Sequence, residues 1–204
     1  ADRFGAGASG VPLALLNPYR GRSARASPLD LAGLQAARSL ALELRAEGLD
    51  PGLHAGGVLR LATSARQARD WQRRLGPELR PLEPAELPAY RAPHGGFLVP
   101  DGGTLEPKRL LAALAGSARA RGAALREGVR ALSLERVAEG WRLQTSAGPI
   151  NAGAVVLCLG ARALEGLAPP ALERVAGDLL ALEPSPPLPH PFAGAVYGGA
   201  LGGR

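Results

Sequence analysis

Residues 5–9, with the sequence GAGAS, form the stretch whose residue types best suit binding chemistry. Glycines allow the backbone to approach a phosphate closely, and the hydroxyl of Ser9 can donate a hydrogen bond to a phosphate oxygen. The uncharged run that follows, residues 10–18 (GVPLALLNP), suits contact with a flat aromatic ligand and equally suits an ordinary core. No predicted strand precedes the glycines, so the strand–turn–helix fingerprint of dinucleotide-binding folds is not found. These residues alone indicate a binding loop without defining its ligand.

The other residues that could do chemistry are isolated from one another. His54, His94 and His190 have no cysteine, aspartate or glutamate at ligand spacing, so no metal site is predicted. The single cysteine, Cys158, lies in the apolar run AVVLCL, where we expect a buried, small hydrophobic side chain rather than a nucleophile. One cysteine cannot form an internal disulfide, which favours a reducing, cytoplasmic compartment.

The net charge of +6 is carried almost wholly by arginine, because Lys108 is the only lysine. A basic balance can indicate nucleic-acid binding. The arginines are instead scattered over predicted helix faces, without interleaved aromatic residues, which favours a solvated surface. A module that binds nucleic acid or another partner through its arginines, with no redox role, stays open as an alternative. The chain has no stretch of about 18 uncharged apolar residues, so no membrane span is predicted.

Two long helices can be predicted from their end signals. Ser27 and Asp30 form a capping box that opens a helix to about Glu47, where Gly48 should stop it. The buried stripe of this helix is predicted to be Leu34, Ala37, Ala41 and Leu44. A second helix should begin at Pro107 and stop at Gly122. Its buried stripe is predicted to be Leu110, Leu114 and Ala118.

Strands alternate with these helices along the chain. Residues 58–62 form one predicted strand, followed by a short helix that a capping box at 64–67 opens and that packs Trp71. Turns and apolar runs predict two further strands at 129–135, with Leu132 and Leu134 on one face, and at 141–145. A fully buried strand is predicted at 154–159, ended by Gly160. A short helix near 163–167 and a strand at 175–182 should follow it. The fold class predicted from these patterns is α/β.

Several segments, taken in order, resemble the D-amino-acid oxidase and glycine oxidase family of FAD-dependent oxidoreductases. The same family includes the oxidoreductase half of a bacterial enzyme that modifies a wobble uridine in tRNA. The segments that carry the resemblance are GAGASGVPLALLNP, GGVLRLATS, GGFLVPDGGTLEP with its helix, REGVRALSLE, GWRLQTSAGPINAGAVVLCLG and GDLLALEP. No single motif is decisive, but their order and spacing are fairly specific and cover nearly the whole chain.

The resemblance implies seven residues at the FAD site: Ala8, Ser9, Leu13, Ala14, Leu15, Val129 and Leu159. The first two match a stretch that touches the diphosphate and ribityl region, and the next three match one that runs along the isoalloxazine ring. Family members usually have glycine where this chain has Ala14. Val129, expected to open its strand, matches a residue whose backbone pairs with the adenine, and Leu159 matches a position near the dinucleotide. Tyr197 corresponds approximately to a tyrosine of the substrate cavity.

The resemblance also implies a partial FAD-binding, Rossmann-like domain and a second, mixed-sheet substrate domain. Residues 1–53 and 103–174 are predicted to belong to the first, and residues 54–102 and 175–204 to the second. The chain contains no methionine and begins in loop-like sequence, so we expect it to lack the family's N-terminal GxGxxG unit and its C-terminal part. We therefore expect the chain alone to bind FAD weakly and to be inactive.

The function implied for the intact protein is oxidation of the C–N bond of an amine or amino acid, by hydride transfer to flavin N5 of FAD. Small-molecule amines are the expected substrates, and oligomeric state is left open. One alternative within the family is modification of a tRNA wobble uridine, for which tRNA would be the partner. The GASG sequence followed by proline and the basic balance favour this alternative weakly.

Overall fold

The computed structural model describes residues 3–76, 79–87, 90, 92–160, 164–165 and 194–198. Its helices are α1 (Pro28–Ala46), α2 (Ala65–Gln72) and α3 (Pro107–Ala120), with single 3-10 turns at Ala8–Gly10 and Pro84–Glu86. Its strands are β1 (Ala14–Leu16), β2 (Leu53–His54), β3 (Val58–Leu61), β4 (Arg80–Leu82), β5 (Gly96–Val99), β6 (Gly103–Leu105), β7 (Ala131–Val137), β8 (Gly140–Thr145), β9 (Ile150–Ala152) and β10 (Ala195–Gly198). This mixture confirms the α/β prediction.

Helix α1 begins and ends where its local sequence predicts. The Ser27 hydroxyl accepts a hydrogen bond from the Asp30 N–H at 3.2 Å, and the Asp30 carboxylate accepts one from the Ser27 N–H at 2.8 Å. These two bonds satisfy backbone donors that have no partner within the helix. Beyond the C-terminal end, Gly48 has a φ of +79°, a conformation that glycine adopts without steric cost.

Helix α3 follows the same rules at its ends, and its most buried residues lie beside the predicted stripe. Pro107 is its first residue and Gly122, with a φ of +86°, lies just after its end. The predicted stripe of leucines is only half-buried. The buried residues within the helix are small: Ala113, Ala115 and Ser117. Ala113 and Ser117 lie three residues after Leu110 and Leu114, on the same face of the helix, and Leu110 packs against a buried core cluster. The face predicted from leucine spacing is therefore the packed one, and Ala115 is buried in addition to it.

The first sheet has the strand order β1–β6–β2, and both pairings are antiparallel. Leu15 lies opposite Thr104, and His54 lies opposite the same threonine from the other side. Within the described residues β1 is therefore an edge strand that is paired on one side only. Two of the predicted flavin contacts, Ala14 and Leu15, therefore lie on a strand with a free edge.

The second sheet has the order β10–β3–β5–β4, with β10 parallel to β3 and the other pairs antiparallel. On it lies the main core, where the fully buried ring of Phe97 makes edge-to-face contacts with Tyr19 (5.9 Å) and Trp71 (5.0 Å). All four strands come from the stretches predicted to form a substrate domain. The division into two domains stays a prediction.

The third sheet is the antiparallel meander β7–β8–β9. The predicted turns lie close to where they were expected, but the prediction that Leu132 and Leu134 share a face is wrong. A register shift between Ala131 and Ser133 places Leu132 at a β-bulge, where it is 46% exposed, whereas Leu134 is buried. A bulge inserts one residue into the alternation and so turns the preceding side chain to the other face.

Two further expectations for this region are corrected by the structure. The strand begins at Ala131, so Val129 precedes it; the first tie to β8 is made by Arg130, whose N–H donates to the Ser146 hydroxyl. Residues 154–159 belong to no strand, and Cys158 is exposed. A buried strand needs partners at its edges and on its faces, and no strand of the described residues pairs with this run.

The predicted strand over 175–182 lies outside the described residues. So does most of the helix predicted near 163–167. Of that segment, Glu165 forms an isolated parallel bridge with Ser133 rather than a helical turn.

Candidate functional site

The glycine-rich segment forms a tight turn. Gly5 has a φ of +73°, and a Cβ added to Gly10 would lie only 1.9 Å from the carbonyl oxygen of Gly5. Only glycine at position 10 permits this close return of the backbone. Ala8 and Ser9 lie at the exposed side of the turn. The three glycines have the spacing G-x-G-x-x-G, but a 3-10 turn and then β1 stand where the dinucleotide fingerprint requires a helix.

Contacts from distant residues hold this turn in place. The Phe4 N–H donates to the Glu127 carboxylate at 2.6 Å across 123 residues of sequence, and the Arg119 guanidinium lies 5.8 Å from the centre of the Phe4 ring. A Cβ added to Gly5 would lie 3.3 Å from the Cδ1 of Leu111 on α3. The segment that begins at Phe4 is therefore packed against α3 and tied to the residues just before Val129, which is half-buried.

The predicted ring contacts lie on and beside the edge strand β1. Leu13 precedes the strand and is 47% exposed, and Leu15 within it is 39% exposed, while Ala14 is half-buried. Large apolar side chains at an open strand edge leave apolar surface for a ligand or another segment to cover. Their chemistry fits an apolar, planar group.

Leu159 and Tyr197 lie elsewhere along the chain. Leu159 is half-buried at the end of the run 154–159, in which Val156 is 86% exposed. Tyr197 is in β10, where its backbone lies opposite Arg60 of β3. Their assignment to the cofactor and substrate stays a prediction.

One cavity of about 430 Å³ lies between α1 and the turn that joins β5 to β6. It is lined mainly by apolar side chains, and an ion pair between Arg38 and Asp101 (3.6 Å) stands at its wall. The cavity meets the chain at Pro18 and Tyr19, beyond the C-terminal end of β1. Sequence reasoning did not find it, because its wall combines residues from distant parts of the chain.

Among the described residues, four carboxyl groups have lowered pKa values, and all four belong to helix ends or ion pairs. The pKa of Asp30 is held down first by the Ser27 backbone and hydroxyl, and further by Arg20. The pKa of Glu47 is lowered by Ser117 and Arg121, that of Asp70 by Arg73, and that of Glu86 by the Glu83 N–H and Arg80. These groups stabilise the scaffold rather than supply an acid or base at the glycine turn.

No cluster of three potential ligands among histidine, cysteine, aspartate and glutamate occurs in the part of the chain that the structure describes. His54 pairs with Glu106 at 3.1 Å, and His190 lies outside those residues. No described helix combines the length and apolar character needed to cross a bilayer.

Comparison with known proteins gives the class of the chain. The profile of the FAD dependent oxidoreductase (DAO) family matches residues 1–199. Glycine oxidase from Geobacillus kaustophilus is similar in structure, with 30% identity and a TM-score of 0.63 over 76% of this chain and 46% of that one. No curated protein sequence matches the chain.

Two more distant structures share the fold. NikD, an amino acid oxidase of nikkomycin biosynthesis, has 23% identity and a TM-score of 0.56 over 74% of this chain and 41% of its own. Iminodiacetate oxidase from Chelativorans sp. BNC1 has 24% identity and a TM-score of 0.52 over 71% and 43%. The chain thus spans less than half the length of each of these proteins.

The chain belongs to the DAO family of FAD-dependent oxidoreductases. The cofactor of this class is FAD, which confirms the resemblance that the ordered segments suggested.

Proposed function

We propose that this protein is an FAD-dependent oxidoreductase that oxidises the C–N bond of a small amine or amino acid. The observation that carries the proposal is the docking of the glycine turn on α3 beside the Val129 segment, in a chain whose family match extends over residues 1–199. Glycine oxidase, the similar protein at 30% identity, is named for an amino-acid substrate of this class.

The proposed cofactor contacts form groups that hold different parts of FAD. Ala8 and Ser9 would hold the diphosphate and ribityl region through the exposed backbone and hydroxyl of the turn. Leu13, Ala14 and Leu15 would present an uncharged surface to the ring and exclude water from one side of it. The backbone of Val129 would pair with the adenine, and Leu159 would pack near the dinucleotide.

Flavin, when bound, takes up the hydride equivalent released from the carbon that bears the amine. The work of the chain is to hold that carbon against the ring, keep the amine neutral and exclude water. Tyr197, at its register position on β10, would border the substrate. No general base is required of the described residues for this step, so the absence of a recognisable acid–base pair among them does not oppose the proposal.

Two domains would separate the binding of FAD from the binding of the substrate. Residues 1–53 and 103–174 would hold FAD, and residues 54–102 and 175–204 would form the sheet over the substrate. We further propose a cytoplasmic location, on the ground that a single cysteine suits a reducing compartment.

The proposal is tested with the complete gene product. We expect a yellow protein with an absorbance band near roughly 450 nm, which belongs to the oxidised cofactor. Anaerobic addition of glycine, sarcosine, a D-amino acid or iminodiacetate should bleach that band with at least one of them. A protein that binds no flavin when refolded or incubated with FAD, or a flavin that none of these amines reduces, counts against the proposal.

The tRNA alternative keeps one supporting observation, the surplus of arginine over acidic residues. It predicts tRNA binding that weakens steeply as salt rises, because phosphate contacts release counterions. Binding that is weak and unchanged between low and moderate salt would remove it. A reading with no redox role is disfavoured by membership of an FAD-dependent family.

A further inference from the structure

Arg60 is a cation in the interior of the second sheet, and its side chain is 2% exposed. Sequence analysis missed it because it stands within the apolar strand VLRL. One terminal nitrogen of its guanidinium donates to the carbonyl oxygen of Tyr19, and the other donates to that of Gly21 at 2.8 Å. The guanidinium carbon also lies 5.2 Å from the Trp71 ring centre and 5.6 Å from that of Phe97. A planar fork with two aimed donors suits this site, and a lysine ammonium does not.

The segment that Arg60 holds is the loop from Asn17 to Arg25, which joins β1 to α1. A third carbonyl of this loop, that of Arg22, accepts hydrogen bonds from Gln67 (2.9 Å) and Trp71 (3.0 Å) on α2. Three carbonyls of one loop are thus bound by side chains of β3 and α2.

The same loop adopts an unfavourable backbone conformation. Ala24 has a φ of +49° and is the one non-glycine residue in the described part of the chain with a positive φ. A residue with a Cβ is kept in this conformation only where its surroundings determine it. The hydrogen bonds that Arg60, Gln67 and Trp71 donate to the loop carbonyls, which we call the clamp, supply such surroundings.

Arg60 also stands opposite the strand predicted to border the substrate. In the parallel register of β10 and β3, Tyr197 pairs with Arg60. On its other side Arg60 fixes Tyr19, three residues after the end of β1 at Leu16. One residue therefore connects the strand assigned to the flavin ring with the strand assigned to the substrate.

We infer that Arg60 is a positioning residue, which sets the distance between the flavin-facing strand β1 and the substrate-facing strand β10 by clamping the loop after β1. The inference rests on the proposed function for its catalytic consequence, and on the hydrogen bonds alone for the clamp. Small displacements between reacting groups lower rates strongly, and about 1 Å can cost roughly a hundredfold. Loss of the clamp should accordingly slow flavin reduction more than it disturbs folding.

The test compares wild-type gene product, loaded with FAD, with Arg60→Lys and Arg60→Met. Lysine retains the charge but lacks the planar, two-armed donor geometry of the guanidinium, and methionine fills the site without charge and leaves both carbonyl oxygens without their donor, which lowers stability. Arg22→Lys is the matched control, because the Arg22 side chain is exposed and only its backbone takes part in the clamp. Thermal unfolding, hydrogen exchange of the amides of Arg20 and Ala24, and the limiting rate of anaerobic flavin reduction are measured on all four proteins.

We expect Arg60→Met and Arg60→Lys to remain folded, to lose protection at Arg20 and Ala24, and to reduce flavin at least about tenfold more slowly, with Arg22→Lys like wild type. Unchanged exchange and an unchanged reduction rate in both Arg60 variants would overturn the inference. A lowered unfolding temperature with a wild-type reduction rate would also overturn it, since that is the result of a purely structural role. If no amine reduces the wild-type flavin, the proposed function fails, and the clamp is still judged by the exchange of the two amides.

Discussion

Gly10 is the single residue on which the shape of the candidate cofactor turn most depends. The backbone at Gly10 comes so close to Gly5 that an added methyl group would overlap the Gly5 carbonyl oxygen. Gly7, in the same turn, has no atom within 4 Å of an added Cβ. Substituting each glycine by alanine therefore separates the effect of a steric clash within the turn from the effect of merely losing a glycine.

We expect Gly10→Ala to open the turn and to lower the FAD content of the purified protein by at least about tenfold, since an overpacked backbone costs roughly 1–3 kcal/mol. Gly7→Ala should retain FAD as the wild type does. The flavin-to-protein absorbance ratio, with titration of FAD into apoprotein, gives the measurement. Equal flavin content in the two variants would show that the turn does not hold the cofactor.

Asp30 is the residue whose titration should be visible in folding. Its pKa is lowered in the folded protein by the Ser27 hydrogen bonds and Arg20. A carboxyl group with a depressed folded-state pKa stabilises the fold above its unfolded value of about 3.9, and this contribution is lost as the pH falls through the lower folded-state value.

Asp30→Asn should accordingly lower the urea midpoint at pH 7, and the difference from wild type should shrink as the pH falls from about 3.9 through the lower folded-state pKa, below which Asp30 is protonated in both states. Urea unfolding at a series of pH values measures this. A difference that stays constant down to the lowest pH at which the protein folds would contradict the role of the charge.

At the scale of elements, helices were more predictable than strands. The capping box at Ser27 and Asp30 and the stop at Gly48 each depend on residues that are close together in sequence. Both could therefore be identified from local sequence. The burial of Ala115 on α3 and the bulge at Leu132 could not, because they depend on what packs against the element. Local propensity sets where an element ends, and tertiary contacts set which side is buried.

Two glycines of the helices give a matched test of this statement. Gly33 is exposed within α1, with no atom within 4 Å of an added Cβ, so Gly33→Ala should stabilise the protein by about 1 kcal/mol through helix propensity. Gly122, after α3, has a φ of +86°, so Gly122→Ala should destabilise it by about 1 kcal/mol. Denaturant unfolding of the two variants should give changes of opposite sign; changes of the same sign would refute the backbone argument.

At the scale of the whole molecule, the second sheet unites distant parts of the chain around one core. Its strands lie between Val58 and Gly198 in sequence, and the ring of Phe97 joins Tyr19 from the β1 loop to Trp71 from α2. The same core encloses the Arg60 clamp. Packing of the core and placement of the candidate site are therefore coupled.

Phe97→Ala should destabilise the protein by about 3–5 kcal/mol, because it removes a fully buried ring and leaves a cavity. Leu29→Ala, at a side chain that is 81% exposed, should change stability by less than about 0.5 kcal/mol. Urea unfolding monitored by circular dichroism provides both values. A cost below about 1 kcal/mol for Phe97→Ala would show that this core does not hold the sheet together.

From the amino-acid sequence alone, the α/β class, the ends of α1 and α3, the β7–β8 hairpin and the family could be determined, because each follows from neighbours in sequence or from segments in a characteristic order. Tertiary structure alone decided that residues 154–159 belong to no strand, that Leu132 turns outward and that Arg60 is buried. It also decided that Phe4 meets Glu127 across 123 residues and that Arg60 meets Tyr19 across 41. Burial and such long-range hydrogen bonds depend on which distant segments meet, and no local pattern of residue types encodes that.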